Sequence, residues 1–239
     1  MADNDSLLAA ICAPPADDGA RLAYSDWLEE HGDAERAEFI RVQCALARLP
    51  KRASQAADLR RRQRVLLAAN RAEWLGPLKG VAKSLDFQRG FVDCARLSAA
   101  ELFQHAEALF RHAPLSCLSV REIKAEHTAP LAALPLLGRV RTLRLGTYST
   151  GIGRKGAGPG LAAALASSRH LGNLEELSLD LCGIGVEGAR ALEAASRLKS
   201  LRVLSLVGNW IGAALGRALA AAPFLRHIAT LDLSSNNLG

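Results

Sequence analysis

Asp26, Glu29, Glu30, Asp33 and Glu38 crowd one short acidic segment of the chain. Carboxylates held close together can act as general acid and base or grip a cation. Here Arg36 and Arg41 lie among them, so ion pairs between helices and helix caps account for the same residues without chemistry. The six histidines, at 31, 105, 112, 127, 170 and 227, form no H-E-x-x-H or other paired ligand spacing. Ser168-Arg169-His170 is no nucleophile arrangement, and G-x-S-x-G is absent. The stretch GIGRKGAGPG (151–160) brings Arg154 and Lys155 near glycines, yet it matches neither phosphate-loop pattern. Five cysteines, at 12, 44, 94, 117 and 182, are odd in number and widely spaced, which predicts free, mostly buried thiols in a reducing compartment. No metal or cofactor is expected.

One charged feature stands apart. Arg48, Lys51, Arg52, Arg60, Arg61, Arg62 and Arg64 face only Asp58 within their own window, a local excess of +6 that equals the net charge of the whole chain. Such a patch can touch phosphates by non-specific electrostatics, with Arg60, Arg61, Arg62 and Arg64 as the contact residues. The aromatic side chains of a base-stacking platform are missing from it. A solvated helical face explains the patch equally well, and an acidic protein surface or anionic lipid is a further outlet.

The elements that would position these residues come from composition and period. The 239 residues include 44 alanines and 41 leucines, more than a third of the chain, whereas aromatics supply only 5%. This composition can build a core but is poor in the polar groups of metal and acyl-transfer sites. No stretch approaches the ~18 uninterrupted apolar residues of a spanning helix. The N-terminus lacks a basic leader region, and its apolar run breaks at Pro14 and Pro15. These features predict a cytoplasmic protein with no membrane partner.

The leucines recur. LGNLEELSLDLCGIG (171–185), LKSLRVLSLVGNWIG (198–212) and LRHIATLDLSSNNLG (225–239) align with Leu177, Leu204 and Leu231 at intervals of 27 residues. Leu179, Leu206 and Leu233 follow two places on, then Ile184, Ile211 and Leu238. An earlier copy places Leu143 and Leu145 in register, 34 residues before Leu177, with the glycine-rich segment as an insertion. A weaker copy, PLSCLSV, puts Leu118 25 residues before Leu143. L-x-x-L-x-L is the alternation of a short strand with one face inward. Asn209 and Asn236, replaced by Cys182 in another copy, are placed to satisfy backbone groups where the chain turns inward. The Ala/Leu runs GVEGARALEAASRL and GAALGRALAAAPFL read as helices whose alanines permit close stacking.

On these motifs, residues 140–239 resemble the leucine-rich repeat family, in the ribonuclease-inhibitor-like form with helices on the convex side. The resemblance implies an α/β solenoid with parallel strands on a concave face that binds proteins. Carried onto this chain, the outward positions are Arg144, Ser178, Ser205 and Asp232, then Asp180, Val207 and Ser234. The last copy stops just after its strand and turn, which suggests an edge open to self-association or a shortened version of a longer array.

The N-terminal part reads as helices: one begun by Asp17 or Asp18, one ended by Gly32 with Asp33 capping the next, and a third over about 54–73. Trp27 and Trp74 are expected in the core, and Trp210 exposed in a turn. RLAYSDWLEEHGD together with RAEFIRVQCAL (Arg21–Leu46) is similar to a planctomycete-type repeat-companion domain, with Ser25 where that family usually carries Ala. The likeness continues through SLDFQRGFVDCARL (84–97), read as a strand, a tight turn at Gly90 and the start of a helix. The whole chain is thus expected to hold a small all-helical module over 1–75, covering one end of a solenoid over 76–239. The solenoid is divergent over 76–139 and clearer over 140–239. No chemistry accompanies either resemblance. The function expected is non-catalytic binding of an unidentified protein partner by the concave face. The alternative is a regulatory or nucleic-acid-associated role for the basic stretch 48–64, and an enzyme using the acidic segment is a third reading.

Overall fold

Helix stops and starts are written into the first half of the chain. A computed structural model describes residues 4–12, 18–50, 53–146, 157–213 and 223–238. Residues 1–95 with 105–115 form one unit, and 96–104 with 116–239 a second. The first unit opens with α1 (Asn4–Cys12), α2 (Asp18–Glu30), α3 (Ala34–Arg48) and α4 (Ala56–Leu75). Gly32, at φ +89°, ends the second helix, and the Asp33 carboxylate accepts the Arg36 backbone N–H at 3.1 Å to cap the third. Ile11, Tyr24, Leu28, Ala37, Ile40, Cys44 and Phe91 share one core, with Trp27 packed half-buried against it. Burial pushes the Cys44 thiol up to about 11.

A hairpin joins these helices: β1 (Ser84–Gln88) and β2 (Phe91–Ser98). Phe91–Ser98 is therefore strand, and the helix expected there begins only at α5 (Ala99–His112). The reason is the two-residue turn. Arg89 and Gly90 both have positive φ, +49° and +90°, the conformation that sends a chain straight back alongside itself. Gln43 anchors the turn from α3. Its side-chain amide donates to the Phe87 carbonyl at 3.3 Å, and its Oε1 accepts the Gly90 N–H at 2.7 Å. Gly90 rests on α3 so closely that a Cβ would lie 2.4 Å from Ile40 Cγ1 and 2.9 Å from Ile40 Cα.

Arg36 was expected among cross-helix ion pairs. Instead its guanidinium sits in an aromatic cage, 4.8 Å from the Trp74 ring centre, 5.3 Å from Phe91, 5.5 Å from Phe87 and 5.7 Å from Phe39. Its Nη1 is buried without a hydrogen-bond partner. Burial brings the group down to about 10, and attraction to the ring faces offsets part of the cost of desolvating the cation.

The second unit is built from repeating strand–helix units. Its strands are β3 (Cys117–Arg121), β4 (Thr142–Gly146), β5 (Glu176–Ser178), β6 (Val203–Ser205) and β7 (Thr230–Asp232). They pair in chain order, all parallel. The register sets Leu118, Leu143, Leu177, Leu204 and Leu231 side by side, so the weak copy at Leu118 belongs to the series. The first four are sealed from solvent, as are Leu145, Leu179, Leu206, Ile184 and Ile211. Each such burial stabilises by about 1.5–3 kcal/mol. Outside lie α6 (Thr128–Ala133), α7 (Pro159–Ser167) and α8 (Gly185–Glu193). A Cβ on Gly188 would meet Ala162 Cβ at 3.2 Å and Pro159 Cα at 3.1 Å, so α7 and α8 touch nearly backbone to backbone. The helix expected over GAALGRALAAAPFL lies mostly outside the described residues.

The turns after β5, β6 and β7 recur as faithfully as the leucines. Asn209 is fully buried; its Nδ2 donates to the Leu179 and Val207 carbonyls at 2.8 and 3.3 Å, and its Oδ1 accepts the Ile184 N–H at 3.2 Å. Asn236 repeats this one unit on, donating to Leu206 O at 2.7 Å and accepting from Asn209 N–H at 2.8 Å. Cys182 holds the same place with a weaker donor, its Sγ 3.4 Å from Leu145 O. Leu181, Gly208 and Ser235 share a left-handed backbone, as do Gly183, Trp210 and Asn237 two places later. Among the cysteines, Cys12, Cys44 and Cys182 are free thiols. Cys94 and Cys117 are each disulfide-bonded, against the expectation of five free thiols; spacing along a chain does not reveal which thiols are oxidised. Among the described residues no helix is long and apolar enough to cross a membrane.

Two substitutions test these supports. Gly90→Ala should cost at least about 2 kcal/mol, from a side chain at positive φ and its overlap with Ile40, read as a lowered urea midpoint. Asn209→Ala should cost roughly 2–4 kcal/mol by stripping partners from buried carbonyl and amide groups, and Asn209→Asp should fail to rescue because it loses both donors.

Candidate functional site

Parallel pairing turns alternate residues of each strand into rows on the exposed face of the sheet. One row runs Ser119, Arg144, Ser178, Ser205, Asp232 in direct register. The next has Arg121 opposite Gly146, followed two residues beyond the registered serines and aspartate by Asp180, Val207 and Ser234. All the outward positions expected from the repeat are partly or fully exposed, while the leucines between them are buried or, in β7, partly exposed. Ser119, Arg121 and Glu176 join the face from outside the positions that the clear repeats mark. The 25-residue step from Leu118 to Leu143 carried the signal for the first two, since placing Leu118 in register also places its neighbours.

Charge on this face is divided between used and unused groups. Asp180 is saturated from within. Its Oδ1 accepts the Ser205 hydroxyl at 2.5 Å and the Val207 N–H at 3.0 Å, and its Oδ2 accepts the Ser178 hydroxyl at 2.9 Å. Asp232 accepts the hydroxyl and backbone N–H of Ser234, at 2.6 and 3.0 Å, and those bonds, the hydroxyl's first, hold its carboxyl below the usual range. Arg144 Nε donates to Glu176 Oε1 at 2.8 Å across β4 and β5. Arg121 Nε is buried and has no hydrogen-bond partner. The rim beyond the strands carries exposed apolar groups: Leu181 at 59% and Trp210 at 73% exposure. Trp210 is thus the exposed turn residue its position suggested.

In the first unit ion pairs and caps occupy Asp26, Glu29, Asp33 and Glu38, while Glu30 is exposed on α2. Arg41 Nη2 bridges Asp26 and Glu29 at 2.8 and 2.5 Å, Asp33 caps its helix, and Glu35 accepts from Asn70 at 2.7 Å. Glu38 holds Arg62 through two bonds of 2.6 and 2.5 Å, and the Arg62 contact draws its carboxyl below the usual range. Among the described residues no group of three or more His, Cys, Asp or Glu side chains is placed to hold a metal ion.

Much of the basic stretch is partnered as well. Besides the Arg62–Glu38 pair, Arg48 meets Asp18 at 2.9 Å and Arg61 lies 3.5 Å from Asp58. Two of those acidic partners lie far along the chain and were invisible to a window count. Arg60 and Arg64 are exposed on α4. Lys51, Arg52, Arg154 and Lys155 lie outside the described residues.

Asp180→Ala should cost about 1.5–3 kcal/mol, because three donors lose a charged acceptor. Arg144→Ala, which breaks an exposed pair, should cost less than about 1 kcal/mol. Urea denaturation of the two variants separates a carboxylate that holds the face together from a guanidinium that only decorates it.

No curated protein matches the chain. Residues 170–192, which span β5 and most of α8, match the Leucine Rich repeat family, and this part of the chain is leucine-rich-repeat-like.

Proposed function

We propose that the protein is a non-catalytic interaction module whose strand face binds another protein. The observation that supports this most directly is the side-by-side row Ser119, Arg144, Ser178, Ser205, Asp232, five outward residues on consecutive parallel strands. Arg144, Ser178, Asp180, Ser205, Val207, Asp232 and Ser234 form the binding face in this reading, Asp180 mainly by fixing the two serines beside it. A sheet so cross-linked needs little ordering on binding, which spares the usual entropic cost. The ribonuclease-inhibitor-like curvature of the second unit is part of the same proposal. So is a repeat-companion role for the first unit. We extend that module beyond the helices of 1–75 to the hairpin, on the strength of the Gln43 bonds to Phe87 and Gly90.

The partnering of Arg48, Arg61 and Arg62 argues against phosphate contact as the main role, because engaged guanidinia release fewer counterions on binding. The test is affinity capture with three forms of the full chain: unaltered, Ser178→Arg with Val207→Arg, and Arg60→Gln with Arg64→Gln. A specific protein captured by the first and third forms but not the second, and retained from 50 to 200 mM salt, is the expected result. Capture lost only in the third form, with steep loss over the same salt range, would move the function to the basic stretch.

A further inference from the structure

A cleft of about 170 Å³ opens on the strand face, lined among others by Arg121, Arg144, Gly146, Ser178, Asp180 and Leu181. Its origin is a missing side chain. In the row Arg121, Gly146, Asp180 the middle strand contributes only a hydrogen, so the two flanking side chains border a gap. We propose that this cleft receives the side-chain carboxylate of an aspartate or glutamate on an extended segment of a protein partner. The proposal rests on the strand face being the binding surface and names what one place on it recognises.

Two observations converge on a carboxylate. Arg121 presents a guanidinium whose Nε is buried and without a hydrogen-bond partner, and no ion pair engages it among the described residues. Nε itself is closed off, so an acceptor arriving in the cleft meets the terminal nitrogens of this unpaired guanidinium. Arg144, on the neighbouring strand, is engaged among the described residues only through Nε, by Glu176, which leaves its terminal nitrogens able to donate. A planar guanidinium is the natural partner of a planar carboxylate, which it can bind with two parallel bonds.

Charge decides between anions. Among the described residues Glu176 pairs with Arg144, and Asp180 is held by two hydroxyls and a backbone N–H, so no carboxylate is bonded to the Arg121 guanidinium. The side chains of Arg121, Arg144, Glu176 and Asp180 balance in charge, so a carboxylate adds one negative charge beside Asp180 where a phosphate dianion would add two. Size permits a carboxylate and its methylene, since ~10–15 Å³ of such volume already admits one water. Leu181, well exposed at the lip, suits an apolar residue next to the acidic one. Strands continue on both sides of the cleft, β3 on one and β5 to β7 on the other, so a chain crossing the face delivers a side chain there more readily than a terminus.

The probe is acetyl-Glu-Leu-amide, titrated into the ¹⁵N-labelled full chain while the arginine Nε–H resonances are followed. Saturable shifts at Arg121 and Arg144 with a Kd of ~1 mM are expected. Acetyl-Gln-Leu-amide, the Arg121→Met variant and the Gly146→Val variant, which fills the gap while keeping both guanidinia, should each weaken binding at least tenfold. Linear drift without saturation, equal binding of the glutamine peptide, or indifference to both variants overturns the proposal. Tighter binding of inorganic phosphate, or of acetyl-Gly-Leu with a free C-terminus, overturns the choice of a side-chain carboxylate. If capture fails with the unaltered protein while the glutamate peptide still saturates the cleft, the carboxylate site stands and the scaffold reading falls. If capture succeeds and the peptide does not bind, the reverse holds.

Discussion

Every inward turn of the repeating unit has to bury backbone amides and carbonyls that no neighbouring strand can reach. A buried polar group left unpaired costs about as much as burying a leucine gains. After β5, β6 and β7 one side chain per turn meets this constraint, that of Cys182, Asn209 or Asn236. Asn209 and Asn236 each supply two donors and one acceptor at the bend. Only with the bend satisfied can Leu177, Leu204 and their equivalents align under one another, and only that alignment sets the outward residues in rows. The outward face of the strands therefore descends from an amide that never touches solvent.

The first unit solves a related problem differently. Arg36 is a cation buried among rings, where an ion pair was the obvious expectation from the acidic residues beside it. The rings come from separate elements, Phe39 and Trp74 from α3 and α4, Phe87 and Phe91 from the two hairpin strands. A charge that attracts four ring faces fixes how those elements meet more tightly than apolar contact alone, since the attraction depends on where each face points.

How far these arrangements can be read from the chain depends on the range of the interaction. The 27-residue spacing was legible because each leucine serves the same purpose in every copy, and the roles of Asn209 and Asn236 followed from their place after the strand. The acidic segment's use in ion pairs was legible too, because Arg41 lies one helix away. What escaped were long-range matters. Glu38 answers Arg62, Asp18 answers Arg48, and Gly90 owes its identity to Ile40; no local window contains both partners. The second hairpin strand was missed because its identity rests on two positive φ values at the turn rather than on its own alternation. On the strand face, Arg121 was hidden in the weakest repeat, where spacing alone had to carry the register.

The asparagines also give the second unit a direction. Asn236 bonds to carbonyls and amides of the repeat before it, including the backbone N–H of Asn209, and Asn209 in turn serves the repeat before that. Support passes backwards along the chain, as roof tiles hold down the row beneath. A disturbance that loosens one bend strips its predecessor of partners and leaves its successor's asparagine intact. Damage should spread towards the N-terminal repeats, while a nascent chain gains the missing partners of each bend only when the next repeat has folded over it.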